Sequence, residues 1–372
     1  MNETSLSYRD KLTETIIENA IKEHGEGAAS RLSSNNIKSA VTKTIPTFSP
    51  ALDRILAKDT SGNYGMPIGR IIGISGQEAC GKTTLAIMVM KSVQQMGGIA
   101  HLVETENAFD PAYADELGLD LNELIISQPD FLEQGLDIIK SDAKKFSEAK
   151  QEYMAETGDE WDVPMVIVFD SIAGVSPKDE MDADSFGDNQ ARALHARILS
   201  KFFRVISSII SKEEICLICT NQTKVDTNVK WGSKNAEIGG RALKFHASLR
   251  LDLWRSGFIK ESSAKEAEPI GIETTIKTIK NKVMSPFKQV TIPIIFGIGI
   301  DYATSLFNLL LEQGFIKKTK LTFSFEFSYK PKGKLKKEIS IRGVKKKFMI
   351  EFRECLENKK IQKKLTRMAY GS

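Results

Sequence analysis

Short apolar runs recur along the chain from about residue 45 to 302, and between them apolar positions return every third or fourth residue. Runs of the first kind read as strands and the second period as helices, so the alternation predicts an α/β fold with a doubly wound, mostly parallel sheet. The predicted strands are residues 71–74, 100–103, 124–127, 166–169, 215–220, 249–253, 273–280 and 289–295. Ahead of them, Leu12, Ile16, Ile17, Ala20 and Ile21 mark an amphipathic helix from Tyr8 to His24, closed by Gly25 and Gly27. Its narrow apolar stripe suits packing on the chain's own core or docking on a neighbouring subunit. Residues 148–162 read as an acidic helix extension with a surface loop, and 261–268 as a solvated loop. Beyond Tyr302, Leu306, Leu309 and Leu310 predict a further helix, followed by a β-like stretch at 321–329 and a basic end from Lys330. The pattern divides the chain into an N-terminal helix and linker suited to oligomerisation (1–44), an α/β core (45–302) and a basic α+β C-terminal domain (303–372).

Composition narrows this picture. With 372 residues, 41% hydrophobic and 27% charged, the chain can bury one large core with small appendages. No apolar stretch approaches the roughly 18 residues of a membrane span. The N-terminus Met1-Asn2-Glu3-Thr4 lacks a basic-then-apolar leader, so the expectation is a cytoplasmic protein with no membrane partner. The four cysteines, Cys80, Cys216, Cys219 and Cys355, are too scattered for a disulfide framework. Cys216 and Cys219 form C-x-x-C inside an apolar run, where positions three apart face opposite sides of a strand, which argues against a metal or redox pair. The net charge of +4 hides an asymmetry: residues 317–372 hold 18 Lys and Arg against 5 Asp and Glu, a net of +13, leaving −9 for residues 1–316. A basic end on an acidic body points to a polyanionic partner such as DNA.

The chemistry concentrates after the first run of the core. Gly76-Gln77-Glu78-Ala79-Cys80-Gly81-Lys82-Thr83-Thr84 lies between an apolar strand and a helical segment. The spacing is that of a phosphate cradle: the glycines let backbone N–H groups face a polyphosphate, Lys82 reaches the β/γ oxygens, and the Thr83 hydroxyl can ligate magnesium. Cys80 sits at the helix N-terminus, where thiolate is favoured, so alkylation there is expected to block ATP binding. Asp170 ends the run Val166-Ile167-Val168-Phe169 and is the expected second magnesium holder. Hydrolysis also needs a carboxylate to orient water, and Glu104 and Glu106 both qualify, since period-two geometry puts them on one face.

Thr105-Glu106-Asn107-Ala108-Phe109-Asp110-Pro111-Ala112-Tyr113-Ala114 resembles the segment that carries the catalytic glutamate of the bacterial RecA recombinase family. Ser127-Gln128-Pro129-Asp130, Val168-Phe169-Asp170-Ser171, Thr220-Asn221-Gln222, Gly239-Gly240-Arg241-Ala242-Leu243-Lys244-Phe245 and the stretch from Lys280 to Gln289 are similar to further motifs of that family, in the family's order. Together they cover roughly residues 45–302. The resemblance implies a RecA-like P-loop ATPase core and an ATP-dependent recombination protein that forms filaments on single-stranded DNA and exchanges strands with a homologous duplex. It makes Glu106 the water-activating base, with Glu104 a structural acid nearby. Asp110 and Tyr113 become adenine contacts, and Gln222 becomes the γ-phosphate sensor. Lys280 and Lys282 become cations inserted into the neighbouring subunit's ATP site.

The stretch from Thr223 to Arg241 sits where the family carries its second DNA loop. Lys224, Lys230, Lys234 and Arg241 suit phosphates there, Gly239 and Gly240 leave backbone N–H groups accessible, and Trp231 offers a surface to bases. The first loop would span Glu180 to Arg192, with Arg192 and Arg197 supplying positive charge; Arg197 matches the family's pattern when one extra residue is allowed after Gly187-Asp188. Two departures stand out. Gln77-Glu78-Ala79-Cys80 replaces a proline and two serines, and a basic end replaces the family's acidic tail, which implies a less restrained DNA binder. A ring-forming helicase or motor of the same ATPase superfamily would share the cradle, Asp170 and a glutamate base, and a non-hydrolysing recombination mediator is the third reading.

Overall fold

The computed structural model describes residues 3–25, 28–29, 40–181, 190–225, 235–237, 241–261, 266–329 and 337–371. It forms two compact units, Met1–Ala40 and Val41–Ser372. In the first, helix α1 (Glu3–His24) ends on Gly25, whose φ of +88° suits glycine and whose N–H returns to the Ile21 carbonyl at 2.7 Å. Tyr8, Leu12 and Ile16 of this helix are exposed.

The second unit begins with a small sheet of order β1-β3-β2, made of β1 (Thr44–Ile45), β2 (Ala57–Lys58) and β3 (Tyr64–Pro67), with helix α2 (Pro50–Leu56) inserted after β1. The Ser49 side chain caps α2 and Pro50 begins it. The main sheet follows: β4 (Arg70–Gly76), α3 (Lys82–Gln95), β5 (Ile99–Glu104), α4 (Pro111–Glu116), β6 (Leu124–Ser127), α5 (Leu132–Thr157), β7 (Met165–Asp170), α6 (Lys178–Met181), α7 (Gln190–Glu213), β8 (Ile215–Val225), β9 (Asn235–Glu237), α8 (Ala242–His246), β10 (Leu249–Lys260), β11 (Pro269–Asn281), β12 (Gln289–Ile295) and β13 (Gly299–Ile300). Its order is β13-β12-β11-β10-β4-β8-β7-β5-β6, with β9 paired to β8. The strands from β10 through β6 pair in parallel, and β11 to β13 continue the sheet antiparallel.

All eight strands expected from the apolar runs are present, β6 and β12 with the expected bounds. The hairpin arms β10 and β11 run further than their apolar cores, because residues such as Arg255, Ser256 and Lys260 leave the buried sheet and carry no apolar signal. Period-two alternation sorts the side chains onto two faces. In β7, Val166 and Val168 join Leu85 and Met88 of α3, whereas Ile167 and Phe169 join Leu136 of α5 and Phe203 of α7. In β8, Cys216 falls on the first face and Cys219 on the second, and burial pushes both thiols well above their ordinary range. Crossovers on opposite faces leave a crevice beyond the C-terminal ends of β4, β5, β7 and β8, the usual ligand position in such sheets. At residues 148–162, Trp161 packs edge-on to Phe146 and Tyr153, and the Lys43 ammonium contacts the Asp162 carboxylate, so the loop is pinned back onto the core.

The chain ends in α9 (Tyr302–Glu312), β14 (Lys317–Lys318), β15 (Phe323–Tyr329), β16 (Lys337–Gly343), α10 (Lys345–Leu356) and α11 (Lys359–Tyr370). Phe307, Phe325, Phe348, Phe352 and Leu365 bury one another in a cluster that also takes in Ala51 of α2. Hydrogen bonds join the cluster to the core: the Ser49 and Ser305 hydroxyls lie 2.7 Å apart, and the Tyr370 hydroxyl reaches Asp53 at 3.4 Å. No helix among the described residues is long and apolar enough to cross a membrane.

Candidate nucleotide site

The cradle leaves β4 at Gly76, which lies in register with Leu253 of β10 and Gln222 of β8. A Cβ on Gly76 would stand 2.3 Å from the Leu253 carbonyl oxygen, so only glycine fits this approach. Gly81 precedes α3 with φ +91° and offers no side-chain cap, leaving the first N–H groups of the helix open to an anion. Lys82 Nζ folds back on its own loop, donating to the carbonyls of Gly76 (3.1 Å) and Gln77 (2.8 Å), while Gln77, Glu78 and Ala79 are exposed. Cys80 is a correction to the sequence reading. Its side chain is 1% exposed and points into the core beside Gly76, and burial pushes the thiol up despite the nearby Lys82. Only its backbone can face a phosphate, and desolvation outweighs the helix terminus that would favour thiolate.

The Thr83 hydroxyl donates to Asp170 Oδ2 at 2.9 Å, and the Thr220 hydroxyl donates to Oδ1 at 2.5 Å. Burial raises the Asp170 carboxyl above its ordinary value, the two hydroxyls opposing the shift. Among the described residues no cluster of three or more His, Cys, Asp or Glu could cage a metal alone. A hydroxyl and a carboxylate side by side at the mouth of a phosphate loop instead fit a hard divalent cation that takes its remaining ligands from phosphates and water.

The structure separates the two glutamates. Glu104, the last residue of β5, pairs in register with Asp170 and is 3% exposed. Its Oε1 accepts from the backbone N–H groups of Glu106 (2.9 Å) and Ala108 (3.0 Å), and its Oε2 accepts from Gln128 Nε2 at 3.1 Å. Glu106 lies beyond the strand end and is exposed. Its Oε1 accepts from the Ser171 hydroxyl at 2.6 Å, and Gln222 Nε2 donates to both oxygens at 3.2 and 3.3 Å. Asp110 caps α4, accepting from the N–H groups of Ala112 and Tyr113, and the Tyr113 hydroxyl lies 3.1 Å from Thr84 Oγ1.

Lys280 and Lys282 stand elsewhere. Lys280 pairs with Arg250, which aligns with Gly73, three residues before Gly76 and so roughly 10 Å back along the strands. Lys280 Nζ donates to the carbonyls of Lys244 (2.7 Å) and Phe245 (2.9 Å) in α8. Burial, with Lys282 and Arg250 nearby, pushes this ammonium down to about 8. Arg241 precedes α8 and is exposed, as is Arg197 on α7. Lys230, Trp231, Lys234, Gly239 and Gly240 lie outside the described residues; so do the side chains of Arg192 and Lys224, whose backbones belong to α7 and β8.

The family model of the RecA N-terminal domain matches residues 11–301. The chain belongs to the RecA family. It is 38% identical over 311 residues to Protein RecA of Tropheryma whipplei, covering 84% of this chain and 64% of that relative, just under two thirds of its length. Identity is 37% over 317 residues to Protein RecA of Geobacter sulfurreducens (85% of this chain, 86% of the relative), and 37% over 316 residues to that of Thermus aquaticus (85% and 84%). Membership in the RecA family carries ATP-dependent recombination and repair through strand exchange. DNA-dependent ATPase activity and nucleotide binding with magnesium belong to the family in general. In this RecA-family chain, Ser171, Thr220 and Gln128 join the site without having been given roles from sequence. All three stand inside quoted motifs, but only the register of β5, β6, β7 and β8 shows what their side chains reach.

Proposed function

We propose that this chain polymerises on single-stranded DNA and hydrolyses ATP in a site completed by the neighbouring subunit, pairing the bound strand with a homologous duplex. The observation that carries this is the bridge from Glu106 to Ser171 and Gln222, one strand from the cradle and at the root of the stretch that leads to Arg241. Backbone N–H groups of residues 76–84 and Lys82 hold the β and γ phosphates, Lys82 exchanging its loop carbonyls for phosphate oxygens. Thr83 and Asp170 would hold magnesium, which would neutralise charge on the phosphate oxygens. Glu106 takes the proton of the attacking water, and Gln222 turns from Glu106 to the γ-phosphate, so that nucleotide state biases the DNA-facing segment. Asp110 and Tyr113 border the base.

Lys280 and Lys282 act on the neighbour's nucleotide, since the register holds them away from their own cradle and Lys280 is turned to α8. Arg192, Arg197, Lys224, Lys230, Trp231, Lys234, Gly239, Gly240 and Arg241 form the DNA interface, and α1 supplies the subunit contact. The deciding experiment is strand exchange with homologous and heterologous duplexes, with and without ATP. Joint molecules that require both homology and ATP are expected; closed rings that unwind forked duplex without pairing homologues would overturn the reading.

A further inference from the structure

Glu106 lies two residues past the end of β5, where the sheet no longer sets its direction. A second carboxylate holds the turn that carries it. Through one oxygen Glu104 grips the N–H groups of Glu106 and Ala108 at 2.9 and 3.0 Å, and within that turn Asn107 takes a φ of +52°. The other oxygen is tied by Gln128 at 3.1 Å, so both ends of the carboxylate are occupied. Gln128 follows Ser127, whose hydroxyl lies 2.9 Å from His101 Nε2, while His101 Nδ1 approaches Asp142 Oδ2 to 2.7 Å. On the far side the Thr105 hydroxyl donates to the Ser171 carbonyl at 2.7 Å and accepts from the Ser171 N–H at 2.9 Å. The turn is therefore fastened to β6 through Gln128 and to the residue after β7 through Thr105.

We propose that Glu104, tethered by Gln128, is the positioning residue that aims the Glu106 carboxylate at the reacting phosphate. The inference rests on Glu106 being the base. Glu104 does not touch the nucleotide in this scheme; it acts by fixing the backbone from which Glu106 projects. Charge is not what the role needs. A neutral amide at 104 would still present an oxygen to both N–H groups, and Gln128 can turn its own amide over to present an oxygen to the new NH₂.

The test measures DNA-stimulated ATP hydrolysis, with nucleotide binding and filament assembly followed in the same samples. Glu104→Ala should lower kcat roughly 10- to 100-fold with the KM for ATP little changed, the scale expected when a reacting group is displaced by about an ångström. Glu104→Gln should stay close to the parent. Gln128 is exposed, so its substitution spares the core. Gln128→Glu sets two carboxylates head to head and should also lower kcat, and combining it with Glu104→Gln should restore turnover, because the new amide can donate to the new carboxylate.

A Glu104→Gln variant as slow as Glu104→Ala would show that charge rather than position matters and overturn the inference. So would a folded Gln128→Glu variant with unchanged kcat, or one not rescued by Glu104→Gln. This pair of variants decides the matter even if Glu104→Ala fails to fold. Glu106→Gln, run in parallel, separates the two levels: if it hydrolyses ATP normally, the base assignment falls and this inference with it. If it is inactive while Glu104→Ala is normal, only the positioning role falls.

Discussion

At the scale of single residues, the site is a set of polar side chains already paired with one another in place of phosphate. Lys82 occupies its loop carbonyls, Thr83 and Thr220 occupy Asp170, and Gln222 and Ser171 occupy Glu106. Exchanging these partners for a nucleotide costs little new desolvation, since each group gives up one hydrogen bond for another. Lys82→Ala removes the cation and should abolish nucleotide binding, read by titration with a fluorescent ATP analogue. Glu106→Gln keeps an acceptor for Ser171 but cannot take a proton, so binding should persist while single-turnover hydrolysis falls by roughly 10²- to 10⁴-fold. Cys80 belongs at this scale too. A thiol 1% exposed and shifted upward should react with iodoacetamide far more slowly than half-buried Cys355, as mass spectrometry of the labelled peptides would show.

At the scale of elements, the strand core was legible because burial on both faces writes unbroken apolar runs, as at β7 and the first half of β8. The choice between Glu104 and Glu106 was not legible from spacing, because alternation holds only while the strand continues. β5 stops at Glu104, so the chain turns and carries Glu106 outward. The basic end hid its apolar stripe for a different reason: Lys345, Lys346 and Lys347 precede Phe348, and Lys359, Lys360, Lys363 and Lys364 flank Ile361 and Leu365, so the charge masks the helical period.

The junction of α2 with α11 carries a pH dependence of its own. Burial lifts the Asp53 carboxyl from 3.8 to about 7, against hydrogen bonds from Thr47 and Tyr370. The folded chain therefore keeps a proton that the unfolded chain has released between those values, and stability from this group falls as pH rises through the window, then levels off above it. Asp53→Asn retains an acceptor for Thr47 and has no charge to bury. It should flatten the slope and exceed the parent at about pH 8 by up to a few kcal/mol, with urea midpoints at several pH values as the check.

At the scale of the whole molecule, the charge asymmetry becomes a division of surfaces. Much of the excess of +13 over residues 317–372 lies on α10 and α11, whose inner faces are committed to packing, so their lysines are directed outward. Lys359, Lys360 and Lys363 of α11 are all exposed. Removing everything after Lys330 would be a poor test of their role, because it would also strip Phe348, Phe352 and Leu365 from Phe307 and Phe325 and leave an apolar face open to water. Changing Lys359, Lys360 and Lys363 together to Gln alters charge and leaves the packing side intact. If this face holds duplex phosphates, the slope of log affinity for duplex DNA against log salt should become shallower by about 0.9 for each lost contact. Turnover stimulated by single-stranded DNA should hardly move, since the cradle and Glu106 belong to the main sheet and these lysines to elements packed in a different hydrophobic cluster. An unchanged slope with intact folding would make the basic face a solvated surface and place duplex capture entirely on the segments around Arg197 and Arg241.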